Sequence, residues 1–206
     1  MDGNALQAKL YKGYSKASAH VGVPYSYYRS ATHLLPTAAT NRLGSLPVAF
    51  SPDRHFEMPN KYHNPVLLCY ADGRKLKQFD FLVGPMGTFF IGDMQLNLPI
   101  QSVETNRTVT LSRAGYSVSG PLSGTPTAYA TGLPVFIQYK REEIKPLPYV
   151  NSAGEGVPRC LAFIPLPNGI LRQDDEMVDE EGTRYFMDAC DYTSIGYVAS
   201  VRHSAL

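Results

Sequence analysis

The chain has 206 residues, 44% of them hydrophobic and 18% charged, with 17 glycines and 16 prolines. That apolar and aromatic content excludes a disordered polymer, and a formal net charge of +1 gives neither the basic footprint of a nucleic-acid binder nor attraction to an anionic membrane. Three well-separated cysteines (Cys69, Cys160, Cys190) make no disulfide framework and no C-x-x-C pair, and read as small buried apolar side chains.

At the N-terminus, Leu6, Leu10, Tyr14, Ala17 and Val21 recur at helical intervals and predict an amphipathic α-helix. Asn4 is the expected N-cap, and Gly22 followed by Pro24 the expected stop. Lys9, Lys12 and Lys16 fall on the polar face, which is ordinarily solvated. From Tyr25 to Tyr62, prolines at 24, 36, 47, 52 and 59 and the lack of any sustained period predict a long irregular arm. Its aromatic and basic residues Tyr25, Tyr27, Tyr28, Arg29, Arg54, Phe56 and Tyr62 are the candidate protein-interface set, because Tyr and Arg dominate interface hot spots. The same tyrosines could equally cover their own domain.

Beyond Pro65 the texture is β. Two apolar segments around Asp72-Gly73 predict a hairpin, and "DFLVGPMGTFFIGDM" (80–94) predicts another. The stretch "LPIQSVETNRTVTLSR" reads as one or two further strands, with Val103, Thr105, Arg107, Val109 and Leu111 at alternate positions as in a half-buried strand. The Gly/Pro/Ser-rich stretch 114–133 reads as a linker. A second β region follows, broken by "NSAGEGVP" and ending in a strand with Ile195, Tyr197, Ala199 and Val201 on one face.

This second region carries a weak copy of the first. Aligning Gly87-Thr88 with Gly182-Thr183 without gaps also matches Asp80 with Asp175, Val83 with Val178, Asp93 with Asp188, Ile100 with Ile195, Val103 with Val198 and Arg107 with Arg202. The repeat predicts two related units, matching strand for strand, with Gly87 and Gly182 in turns whose backbone penalises a side chain. The expected fold is therefore mainly β: a helix and arm (1–64), a first β unit (65–113), a linker (114–133) and a second unit (134–206), each unit a small barrel or sandwich.

Catalytic signatures are missing. The sequence has no Walker A loop, nucleophile elbow, H-E-x-x-H or dinucleotide fingerprint. The carboxylates Asp174, Asp175, Glu176, Asp179, Glu180 and Glu181 could hold a hard cation through oxygen, but their spacing fits no known loop and a solvated turn is the ordinary reading. His55 and Glu57 imitate half of a zinc-deaminase motif without its P-C-x-x-C half; His55, His63 and Cys69 are a weaker zinc set still. Asn106-Arg107-Thr108 matches a glycosylation sequon by chance, since no signal peptide is recognisable. The expectation is no catalytic residue, no metal and no cofactor.

The stretches "NALQAKLYKGY", "PNKY", "DFLVGPMGTFFIGDMQLNLPI" and "VETNRTVTLSR", spanning about residues 4–113, resemble a family of uncharacterised proteins encoded among the virion structural genes of tailed bacteriophages. The resemblance implies a virion structural protein, a subunit of a ring in the head–tail connector, tail or baseplate, made in the host cytoplasm and carried in the particle. Its implied partners are copies of itself in a cyclic ring and neighbouring neck, tail or fibre proteins, with no nucleic-acid specificity and no membrane span. Sheet edges are the expected points of association. The alternatives are a binding module contacting host-surface glycan or a tail fibre, and an enzyme of unrecognised type.

Overall fold

The structure, a computed structural model, describes residues 2–52, 65–114, 126–139 and 159–203. The fold is mainly β with one N-terminal α-helix, α1 (Gly3–Val21). The first six strands are β1 (Val23–Tyr28), β2 (Arg42–Pro52), β3 (Val66–Tyr70), β4 (Phe81–Gly84), β5 (Gly87–Asp93) and β6 (Ile100–Thr105). The second six are β7 (Arg107–Arg113), β8 (Thr127–Tyr139), β9 (Arg159–Ile164), β10 (Glu176–Asp179), β11 (Arg184–Thr193) and β12 (Gly196–His203).

Each set closes into a barrel. The order is β1-β2-β3-β6-β5-β4 in the first, with β4 returning to β1, and β7-β8-β9-β12-β11-β10 in the second, with β10 returning to β7. The two circuits are the same when each strand is matched to the one six places later. The sequence repeat thus corresponds to an architectural one, although its ungapped register does not hold. Before the hairpin turn, Phe81 and Glu176 are equivalent, as aligned. After it, Phe90 pairs with Phe81 where Phe186 pairs with Glu176, so the second copy is one residue longer. The cause is the turn itself: Pro85-Met86 joins Gly84 to Gly87, whereas Glu180-Glu181-Gly182 joins Asp179 to Thr183. Both glycines take positive φ, +120° at Gly87 and +82° at Gly182, as the turn reading required. In the last strand the shift grows, so that Val103 is matched by Arg202 and not by Val198. Arg107 belongs to the next barrel altogether.

Three further expectations change. Residues 25–62 are not an irregular arm where described, because β1 and β2 lie there as neighbours in the first barrel. Their prolines are placed where they do no harm: Pro24 faces Pro47 across the ladder, a pair from which neither residue has to donate an N–H. The linker at 114–133 likewise gives way to β8 from Thr127 onward, so the barrels divide at Asn106 and not at 114–133. Finally, Asp72-Gly73 turns no hairpin. β3 pairs with β2 and β6, while β4 pairs with β1 and β5. Gly73 is there because the Tyr11 ring of α1 lies 2.6 Å from where a Cβ would stand.

Helix α1 lies against β2 and β3, rotated from the face the sequence favours. Asp2, two residues before Asn4, is its cap, accepting from the Asn4 backbone N–H at 3.3 Å. The buried residues are Gln7, Tyr11 and Ser18. Gln7 Oε1 accepts from the Asn97 backbone N–H in the β5–β6 loop, and Tyr14 meets Tyr70 edge to face at 5.3 Å. These polar and aromatic contacts turn Leu6, Ala17 and Val21 outward; Val21 is 75% exposed.

The barrels are joined by more than the chain. Phe81, Phe90 and Val103 of the first belong to the same apolar core as Leu111, Val135, Ile164 and Met187 of the second. At the crossing, the Asn106 side chain acts as a strand residue would. Its Nδ2 donates to Ile137 O and its Oδ1 accepts from Ile137 N, both at 2.8 Å. Gln78 Nε2 bridges Gly92 O of the first barrel and Ser194 O of the second, at 2.8 and 2.6 Å.

Candidate functional site

The proposed interface residues separate once folded. Tyr25 is fully buried in the first barrel, stacked edge-on to Phe50 and Phe89, with its hydroxyl accepting from Met86 N. It is a core residue and cannot meet a neighbour. Tyr27 is half-buried and packs against that same core. Tyr28, also half-buried, leans on the second core from the end of β1. Arg54, Phe56 and Tyr62 lie outside the described residues, as do His55, Glu57 and His63.

Arg29 has a structural task. Its Nε and Nη2 reach the two oxygens of Asp80 at 2.7 and 2.6 Å, and Nη2 also donates to Lys75 O. The Lys77 backbone N–H adds a donor to Asp80 at 2.7 Å. The second barrel repeats the device: Arg113 grips Asp175 through Nε and Nη2, both at 2.7 Å, and donates to Ile170 O, while Arg172 N donates to Asp175. Both carboxylates are 1% exposed, and each follows a residue in the left-handed region, Phe79 at φ +66° and Asp174 at +67°. The forked pair therefore pins a strained turn at the entry to β4 and again at β10. The hydrogen bonds to Asp80 and Asp175 hold both guanidinium pKa values above the usual arginine range. In the second barrel Tyr129 also donates to Asp175, at 2.9 Å; burial first, then that carboxylate, drives the phenol pKa up. The Asp80/Asp175 match was legible in the repeat, but its arginines were not, because Arg29 and Arg113 fall outside the aligned window.

The acidic turn is internally satisfied. Asp179 accepts from Glu181 N, Thr183 N and the Tyr185 hydroxyl. Arg107 donates to Glu181 at 2.6 Å and to Glu180 at 3.4 Å. Among the described residues no group of three or more His, Cys, Asp or Glu side chains is arranged to hold a metal ion. Cys69 and Cys160 are buried and reduced, with burial raising both thiol pKa values; Cys190 is half-buried.

Between the barrels an open cleft of about 320 Å³ lies over the crossing. Its walls come from the end of β1 (Tyr28), the β1–β2 connection (Thr37), the β4–β5 hairpin (Thr88), the crossing strand (Arg107, Thr108) and the acidic turn (Glu180). Thr108 N donates to Glu180 Oε2 at 2.7 Å, which ties the acidic turn to the floor. No sequence motif marks this cleft, since its ten lining residues are spread over more than 150 positions and four of them are threonines. The β1–β2 connection reaches it as a strap. Leu35 N donates to Thr131 O at 2.7 Å and Thr131 N to His33 O at 3.2 Å, so the strap of the first barrel is bonded to β8 of the second.

No family model matches this chain, and neither a curated protein nor a solved structure matches it. Among the described residues no helix is long and apolar enough to cross a membrane.

Proposed function

We propose that the protein is a structural subunit of a tailed-bacteriophage virion, set in a ring of the head–tail connector, tail or baseplate, and that it acts by assembly and not by catalysis. The observation that supports the reading is the outward apolar stripe of α1. Of the five residues in its apolar pattern, Leu6, Ala17 and Val21 face away from the barrel that the helix covers, while Leu10 and Tyr14 are half-buried. Leu96 and Leu98, in the loop that Gln7 holds against the first helical turns, are also about half exposed. Exposed apolar side chains on one element and its neighbouring loop are what a subunit keeps for its neighbours. Both barrels are closed, so association in this reading runs through the helix and loops and not through described strand edges.

The test is a Leu6→Asp, Val21→Asp double variant, because both side chains are exposed and neither belongs to a core. It should fold with unchanged thermal stability and be missing from purified particles by mass spectrometry, while the unaltered chain is present. Normal infectious particles carrying the variant would remove this reading. Replacing Tyr27, Tyr28 and Arg29 would not serve, since losing Arg29 strips a buried carboxylate of its partner.

A further inference from the structure

We infer that the cleft between the barrels is a binding site for a neutral saccharide. The inference stands apart from the assembly reading, because it depends only on the cleft walls.

The first observation is an excess of uncommitted hydroxyls. Thr105 Oγ1 is engaged with Thr88 O at 2.9 Å, but the side-chain hydroxyls of Tyr28, Thr37, Thr88 and Thr108 have no hydrogen-bond partner among the described residues. All four line the cleft. The four residues come from four segments: the end of β1, the strap, the β4–β5 hairpin and β7. A hydroxyl both donates and accepts, which suits a ligand whose own groups do the same.

The second observation is charge. Among the described residues the one cation lining the cleft, Arg107, is bonded to both Glu180 and Glu181, and Glu180 also accepts from Thr108 N. An anionic ligand would have to displace those carboxylates, and a cation would have to take them from Arg107. A neutral ligand can use the remaining donor and acceptor positions of the pair without breaking it. The third observation is size and shape. A cleft of about 320 Å³ lies at the small end of ligand sites, enough for one or two sugar rings. An extended peptide is poorly served, because strand addition needs a free edge and both sheets are closed.

The experiment uses the full chain with backbone amides observed by NMR and a panel of neutral probes: glucose, galactose, mannose, N-acetylglucosamine and their common disaccharides. At least one should give saturable shifts confined to the amides around Thr88, Thr108 and Glu180, with a Kd on the order of 1 mM, typical of a few exposed hydrogen bonds. Thr88→Val and Thr108→Val keep shape and remove one hydroxyl each; either should weaken binding about tenfold while thermal stability is unchanged. Four outcomes would overturn the inference: no shifts with any probe at tens of mM, shifts elsewhere on the surface, binding indifferent to both threonine changes, or saturation by sialic acid and sulfated sugars in preference to neutral ones.

Discussion

Arg29 and Arg113 show how much one side chain can decide. Each is about one-third exposed, but its carboxylate partner is buried, so removing the arginine leaves Asp80 or Asp175 with backbone donors and, for Asp175, Tyr129. Arg29→Ala and Arg113→Ala should each cost about 2–3 kcal/mol in urea unfolding, with Arg113→Lys recovering little because an ammonium cannot fork across both oxygens. A loss below about 0.5 kcal/mol would mean the pairs are no stronger than surface ones. The strained residue beside each pair gives the opposite sign. Asp174 is exposed at φ +67°, so Asp174→Gly should stabilise the fold by about 0.5–1 kcal/mol, measured the same way. The paired aspartates were visible in the sequence as repeated Asp-before-strand positions, but their partners come from just after β1 and from the end of β7, dozens of residues upstream.

Among the elements, the strap between β1 and β2 is the most exposed to perturbation. It crosses to β8 at Gly132, where φ is +59° and a Cβ would stand 2.5 Å from Leu35 Cδ2. Gly132→Ala should therefore cost about 1–2 kcal/mol and speed amide exchange at Leu35 and Thr131 ahead of the barrel strands. Unchanged exchange there would show that the strap tolerates the methyl. His33 gives the same element a pH dependence. Burial lowers its pKa below the ordinary value of 6.5, so the unfolded chain binds the proton more readily. The His33 contribution is present in full above pH 6.5 and is lost as pH falls from there through the lowered folded value. An NMR titration should place the His33 midpoint below 6.5, and His33→Gln should flatten stability over that window. A midpoint at or above 6.5 would contradict the burial argument. Helix α1 teaches a related lesson: its existence and length were legible from apolar spacing, but its rotation was set by Gln7, Tyr11 and Tyr14 meeting Asn97, Gly73 and Tyr70.

At the scale of the molecule, the two barrels share one apolar core across their junction, with Phe90 of the first buried among second-barrel residues. Units that share a core should not melt separately, so calorimetry should give one transition with matching calorimetric and van't Hoff enthalpies. Phe90→Ala should lower that single transition by about 3–5 kcal/mol of stability. Two resolved transitions in the unaltered chain would show instead that the barrels are independent bodies joined by a strand crossing.

The sequence by itself determined that this is a mainly β chain with one N-terminal helix and an internal repeat, because these depend on local periodicity, turn glycines and recurring short motifs. It placed the β4–β5 turn and the β12 face correctly for the same reason: each is written in neighbouring residues. Only the tertiary structure decided that both repeats close into barrels, that β1 and β2 replace an irregular arm, and that the division falls at Asn106. Those outcomes depend on pairings between distant strands. Pro24 and Pro47, which read locally as breakers, become harmless only when set opposite each other, and Val103 and Val109, which share one alternating pattern, enter two different barrels. The cleft was invisible for the same physical reason, since its lining residues carry no signature until the fold brings their segments to one space.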